Sequence, residues 1–172
     1  MNMIIPYNGI KPKVDESVFI CEGAKIIGDV EIGKNSSIWF NTVIRGDVNY
    51  IKIGERTNVQ DLSMLHVTYK KYPLIIGSDV TIGHSVSIHG CTIKDLVLIG
   101  IGAVLLDSCV INSNSFIAAG TLVKEKFVVP EGVLVAGVPG RIVRDLTEKE
   151  IDKISRSSRN YLMYVETYRK QK

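Results

Sequence analysis

The sequence predicts an all-β chain wound into a triangular parallel β-helix, a hexapeptide-repeat solenoid, followed by one C-terminal α-helix. Three observations carry this prediction. Branched aliphatic residues recur every six positions along most of the 172 residues. Glycine often follows the aliphatic position, as in Ile32-Gly33, Ile53-Gly54, Ile76-Gly77, Ile82-Gly83 and Ile99-Gly100. Beyond Gly140 the six-residue spacing gives way to apolar residues at the three-and-four spacing of a helix.

The first run consists of Ile20, Ile26, Ile32, Ile38 and Ile44. Two shorter runs follow, Ile53, Val59 and Leu65, then Ile76, Ile82 and Ile88. The longest takes in eight positions, Ile93, Ile99, Leu105, Ile111, Ile117, Val123, Val129 and Val135. A helix repeats its apolar stripe at about 3.6 residues, so a period of six excludes one. Six does contain whole strand pleats, because side chains alternate with period two. Each segment is therefore a short strand that aims one stiff branched aliphatic inward and then turns a corner where Gly, Asn, Asp or Ser tolerates the bend. Three such sides close a triangular coil, and coils stacked at about 4.8 Å pair backbone to backbone. A sandwich of short strands would not hold one spacing over eight consecutive positions.

The period slips in three places. The step from Ile44 to Ile53 is nine, leaving about three extra residues near Gly46–Tyr50. The step from Leu65 to Ile76 is eleven, with an excursion at Tyr69–Pro73, and that from Ile88 to Ile93 is five. Loops leaving a solenoid are common functional sites. After Val135-Ala-Gly-Val-Pro-Gly140 comes a capping box, Thr147 to Glu150, then Ile151, Ile154, Tyr161, Val165 and Tyr168 on one face of an amphipathic helix. The organisation read from this is a β-helix over 1–143 and a helix within 144–172 packed on the outside of the coil.

Composition narrows the function. Net charge is +3, from 21 Lys and Arg against 18 Asp and Glu, with no dense basic block, which argues against nucleic acid as a partner. Plentiful apolar residues exclude a disordered chain. No run reaches the roughly 18 apolar residues of a membrane span. The opening Met1–Pro6 lacks the basic and apolar regions of a signal peptide, and Cys21, Cys91 and Cys109 are too few for a disulfide scaffold. A reducing, cytoplasmic setting is expected.

The only three histidines, His66, His84 and His89, lie within a quarter of the chain. The repeat places them. With Ile53 and Ile76 on side A, Val59 and Ile82 on side B, and Leu65 and Ile88 on side C, His66 and His89 stack on side C, and Arg45 continues their column. His84 lies on side B, opposite Asp61 of the preceding coil, with Gln60 beside it. Zinc needs ligand nitrogens about 2.0–2.1 Å from one ion. The stacked pair meets that requirement, whereas His84 reaches the same ion only if side B of one chain faces side C of another. Three histidines on one metal thus predict a cyclic oligomer, most simply a homotrimer, with metal sites between subunits.

These residues resemble the γ-class carbonic anhydrase family of left-handed β-helix proteins. The resemblance is carried by Ile44-Arg-Gly-Asp47, Asn58-Val-Gln-Asp61, Leu65-His66, Thr81-Ile-Gly-His84, Ile88-His89 and Gly137-Val-Pro-Gly-Arg141, and it covers nearly the whole chain. It implies a trimer that binds zinc (ferrous iron or cobalt being alternatives) through His66 and His89 of one subunit and His84 of its neighbour. It implies a metal-bound hydroxide that attacks carbon dioxide to give bicarbonate, zinc lowering the pKa of its water to about 7. It assigns Gln60 to orienting that water, Arg45, paired with Asp61, to holding bicarbonate and shaping the interface, and Asp47 to an intersubunit ion pair. Asn58 supports the site strand, and Tyr161 of the helix approaches the substrate. The sequence departs from the efficient members of the family, which carry proton-exporting glutamates. Val48 follows Asp47, and the loop after the first histidine reads Val67-Thr-Tyr-Lys-Lys-Tyr72, so the expected hydration is weak. Two other readings compete: an acyltransferase or thioesterase acting on a coenzyme A ester, and a metal-binding scaffold without turnover. The first needs one histidine and leaves Arg45, Gln60 and Asp61 unexplained; the missing glutamates favour the second.

Overall fold

The computed structural model describes residues 3–171; Met1, Asn2 and Lys172, which include the first residues of the opening stretch read above, lie outside the described residues. The chain forms a left-handed parallel β-helix of about seven turns with one C-terminal helix. The strand registers follow the six-residue phase. On side A, Ile53 pairs with Ile76 and Ile76 with Ile93. On side B, Val59 pairs with Ile82 and Ile82 with Ile99. On side C, Ile44 pairs with Leu65, Leu65 with Ile88 and His66 with His89.

Every aliphatic of the repeat from Ile26 to Val135 is buried. A second inward position lies two residues before each of them; it is often a small residue, as at Ala24, Ser36, Thr57 and Ala103, but Ile51 and Leu74 fill it after the irregular corner. Where that residue carries a hydroxyl, it usually bonds a carbonyl of the next coil: Ser36 to Gly54, Thr42 to Gln60, Thr57 to Gly77 and Ser63 to Gly83, at 2.8–3.0 Å. These bonds satisfy buried corner carbonyls that would otherwise be costly. Cys91 and Cys109 fill the same position on successive coils; the hydrogen bond between their thiols, with burial, pushes the Cys91 thiol well up. Outside the corner between sides C and A, the chain turns on a residue of positive φ three positions past the aliphatic, among them Asn35, Asn41, Arg56, Leu62, Asp79, Ser85, Leu96 and Asn114.

The three slips occupy one corner, between sides C and A. The extra residues after Gly46 are not a loop leaving the coil. Val43–Ile53 is one continuous strand, and the register shifts so that Gly28 faces Gly46 while Val30 faces Ile51, a bulge that absorbs Asp47–Tyr50. The excursion in the next coil is closed by an antiparallel bridge between Thr68 and Tyr72. It sits on the bulge: the Lys70 amide donates to the Val48 carbonyl at 3.1 Å, and the Asn49 side chain to the Thr68 carbonyl at 3.1 Å. The short step turns at Gly90, whose φ is +42° and where a Cβ would lie 2.7 Å from the Asp107 carboxylate and 2.8 Å from Tyr72.

The strand Arg141–Asp145 folds back antiparallel on Val133–Ala136, so β structure continues past residue 143. The helix, Glu148–Arg169, starts at the expected capping box: Thr147 and Glu150 each bond the other's backbone amide. It lies on side B. Ile154, Ser158 and Val165 are buried, Val165 in a cluster with Phe19, Cys21 and Trp39, and the Arg169 guanidinium donates to the Ser17 carbonyl at 2.7 Å. No helix among the described residues is long and apolar enough to cross a membrane.

Candidate metal centre

Strand pairing brings His66 and His89 together. Because Leu65 and Ile88 point inward, the residues after them point outward in register, and His66 Nδ1 stands 3.0 Å from His89 Nε2. Two nitrogens bound at about 2.05 Å to one tetrahedral ion stand about 3.3 Å apart, so this pair fits a shared metal with little adjustment. The outer ring nitrogens are engaged by carboxylates. His66 Nε2 donates to Asp47 Oδ1 at 3.0 Å, and His89 Nδ1 to Asp107 Oδ1 at 2.6 Å. Metal-ligating histidines commonly make such bonds, which fix ring orientation.

Arg45 follows Ile44 and so tops the column, where it is ion-paired with Asp47. Burial pushes the Asp47 carboxyl up, but hydrogen bonds from Arg45 and His66 outweigh it and hold the group below the usual carboxylate range. Burial, with the nearby Arg45 charge, keeps the His66 imidazole below its ordinary value despite the bond it donates to Asp47. That favours the neutral ring, the form that ligates metals.

The side-B group is separate. His84 Nδ1 is 2.6 Å from Asp61 Oδ2, and Asp61 Oδ1 accepts from the Phe40 amide at 3.1 Å. Arg45 and Asp61, expected to pair, lie on different sides: within one chain Arg45 goes to Asp47 and Asp61 to His84. Asp47, expected in an ion pair between subunits, has both its oxygens engaged inside the chain by Arg45 and His66. Gln60 is buried, its amide donating to Asn58 Oδ1 at 3.1 Å, while Asn58 donates to Thr81 Oγ1 at 3.0 Å. Tyr161 does come to this face. With Trp39, Phe40, Asp61, His84 and Tyr164 it lines a cavity of about 300 Å³. Its ring meets Trp39 edge-on at 5.2 Å, and burial, then the Asp61 charge, then Tyr164, push its hydroxyl up to about 12.

Among the described residues of one chain, no group of three His, Cys, Asp or Glu side chains is placed to share an ion. Two residues went unnoticed in the sequence. Asp107 and Thr68 join at 2.6 Å beside His89. Burial raises the Asp107 carboxyl, but bonds from Thr68 and His89 bring it below the usual range. Asp107 stands two residues past the side-C aliphatic Leu105, in the coil after His89, and the five-residue step at Gly90 was the signal that something else fills that corner.

A family model described as bacterial transferase hexapeptide (six repeats) matches residues 11–46. The chain is 47% identical over 156 residues to gamma carbonic anhydrase 2, mitochondrial, of Arabidopsis thaliana, covering 88% of this chain and 56% of that one. It thus spans little more than half the length of that relative. It is 44% identical over 160 residues to a carbonic anhydrase of Geobacillus kaustophilus, covering 93% of this chain and 87% of the relative. A crystal structure of a hexapeptide transferase family protein from Anaplasma phagocytophilum superposes with a TM-score of 0.93 at 42% identity, covering 96% of this chain and 98% of that one.

Proposed function

Since this chain belongs to the γ-class carbonic anhydrase family, we propose that it catalyses reversible hydration of carbon dioxide to bicarbonate at metal centres between the subunits of a homotrimer. One observation carries the reading: His66 and His89 converge at 3.0 Å on one side of the coil, while His84, oriented by Asp61, faces outward from the next. In this reading His66 and His89 of one subunit and His84 of its neighbour hold the ion, zinc by preference, with Fe²⁺ and Co²⁺ also suited to imidazole donors. When bound, the metal would supply the Lewis acidity that makes water a nucleophile toward carbon dioxide near neutral pH.

The chain's own groups do the rest. Gln60, its amide nitrogen held by Asn58, turns its carbonyl oxygen to orient the attacking water. Arg45, at the rim with Asp47 behind it, presents a guanidinium to the bicarbonate product, a planar anion that suits it. Asp61 keeps the His84 ring in place, and Tyr161 with Trp39 keeps one wall of the cavity apolar and dry. Proton export has no dedicated carboxylate: Val48 packs on the core, and Lys70 and Lys71 lie over the rings of Tyr69 and Tyr72. Hydration therefore proceeds weakly at low buffer and rises with buffer concentration. The buried thiols Cys91 and Cys109 suit the reducing cytoplasm proposed for this activity.

Subunit mixing tests the reading. His66→Ala and His84→Ala are each inactive alone. When the two variants are refolded together in equal amounts, an interfacial site is intact wherever a chain with His66 and His89 meets a chain with His84, so about a quarter of wild-type activity returns. No recovery from mixed trimers means the site is not shared. Turnover of acetyl-coenzyme A by the metal-free protein would favour acyl transfer instead, and metal binding with no hydration at any buffer concentration would favour the scaffold.

A further inference from the structure

We propose that Asp107, clamped by Thr68, is the positioning residue that selects which nitrogen of His89 faces the metal. The inference rests on the metal reading above, which makes His89 a ligand. A carboxylate only accepts hydrogen bonds, so at 2.6 Å from Asp107 Oδ1 the proton of a neutral His89 sits on Nδ1. The lone pair is then on Nε2, the nitrogen that faces His66 Nδ1 at 3.0 Å. Without Asp107 the neutral ring is at liberty to carry its proton on Nε2, where it would block the ligand position.

The carboxylate is itself held from two sides. Thr68 Oγ1 donates to Asp107 Oδ2 at 2.6 Å while Oδ1 takes the histidine, so both oxygens are committed and the group cannot rotate. Thr68 is rigid because its amide donates to the Tyr72 carbonyl at 3.1 Å and its carbonyl accepts from Asn49 at 3.1 Å. Space for the carboxylate exists because residue 90 is glycine; a Cβ there would stand 2.7 Å from Asp107 Oδ1. Thr68, His89 and Asp107 come from three successive coils, so the excursion, the shortened step and the aspartate together build one support for one ring.

The test uses the full-length chain stripped of metal. Chelator competition measures Zn²⁺ affinity, the visible spectrum of the Co²⁺ form reports ligand geometry, and ¹⁵N NMR of the metal-free protein reports the His89 tautomer. Wild-type His89 is expected as the Nδ1–H form. Asp107→Ala shifts it toward Nε2–H, alters the cobalt spectrum and lowers Zn²⁺ affinity about 10- to 100-fold. Thr68→Val moves all three readouts in the same direction by less, and Thr68→Ser restores them. If Asp107→Ala binds Zn²⁺ within about twofold of wild type with an unchanged cobalt spectrum and tautomer, the proposal is overturned while the metal reading stands. If wild-type protein binds neither ion, the metal reading itself falls. Should Asp107→Ala fail to fold, Thr68→Val, which keeps the side-chain volume, decides on the same measurements.

Discussion

The coils from Ile93 to Val135 and those from Ile44 to Ile93 bury the same kind of aliphatic column, yet they differ in nearly everything else. In the later stretch the step never departs from six, and side chains such as Asn112 and Ser115 bond backbone carbonyls, Val129 at 2.9 Å and Pro130 at 2.8 Å. In the earlier stretch the corner between sides C and A bulges, loops out and then shortens in successive coils. Its polar side chains gather in a row: Arg45 bonds Asp47, Asp47 accepts from His66, His66 and His89 face each other nitrogen to nitrogen, and His89 reaches Asp107 of the following coil. A solenoid needs only repetition to fold, because each coil rests on its neighbours. Interruption is how this one gathers side chains that repetition would keep apart.

If that division holds, a core deletion should have different consequences in the two stretches. Ile117→Ala and Leu65→Ala both empty a fully buried site and should each cost about 2–5 kcal/mol in denaturant unfolding. Ile117→Ala should leave Zn²⁺ affinity per folded molecule unchanged. Leu65→Ala should lower it, because His66 is the next residue on the same short strand, Met64–His66. Equal metal affinity in the two variants would erase the distinction.

A smaller effect is expected at Asp61, which is partly exposed, touches His84 at 2.6 Å and accepts from the Phe40 amide at 3.1 Å. Asp61→Asn should weaken Zn²⁺ binding about 10- to 100-fold in chelator competition while thermal unfolding of the metal-free chain stays close to wild type. Loss of folding with retained affinity would place Asp61 with the scaffold instead.

Corner residues offer a finer comparison. Leu62 in the interrupted stretch and Asn114 in the regular one occupy the same turn position, with φ of 61° and 57°. Leucine is poorly suited to that conformation, and it is 63% exposed beside Asp61. Leu62→Asn should raise chain stability by about 1 kcal/mol, measured by denaturant unfolding. Asn114→Leu should lower stability by a similar amount in the same measurement.

The smallest effect concerns alkaline pH. Folding raises the Tyr161 hydroxyl from 10.0 to about 12 by burial, the Asp61 charge and Tyr164, so the folded chain keeps a proton that the unfolded chain gives up first. Stability from this source is complete below pH 10 and is lost as pH rises toward 12. Tyr161→Phe should flatten that decline in unfolding midpoints, with little change at neutral pH.

Much of this was legible in the chain itself. The six-residue phase put His66 against His89 and Asp61 against His84, and the strand registers agree because inward aliphatics leave the sheet no other alignment without exposing them. The capping box at Thr147 was equally plain, since its bonds are local. The contact of Arg45 with Asp47 inside one chain was not, because it depends on how the bulge after Gly46 places the two residues. Asp107 and Thr68 were missed because they are 39 positions apart and meet only at an irregular corner, where the phase no longer counts residues.

The sequence by itself therefore determined the coil, its three sides and the columns of side chains on them, because strand alternation and a fixed period are local properties. The tertiary structure alone decided how the corner between sides C and A is filled, that Asp107 reaches His89 through the space Gly90 leaves, and that the helix brings Tyr161 to Asp61 and His84. Those contacts arise between coils and between helix and coil, where packing and hydrogen bonding of distant residues, not spacing along the chain, set the distances.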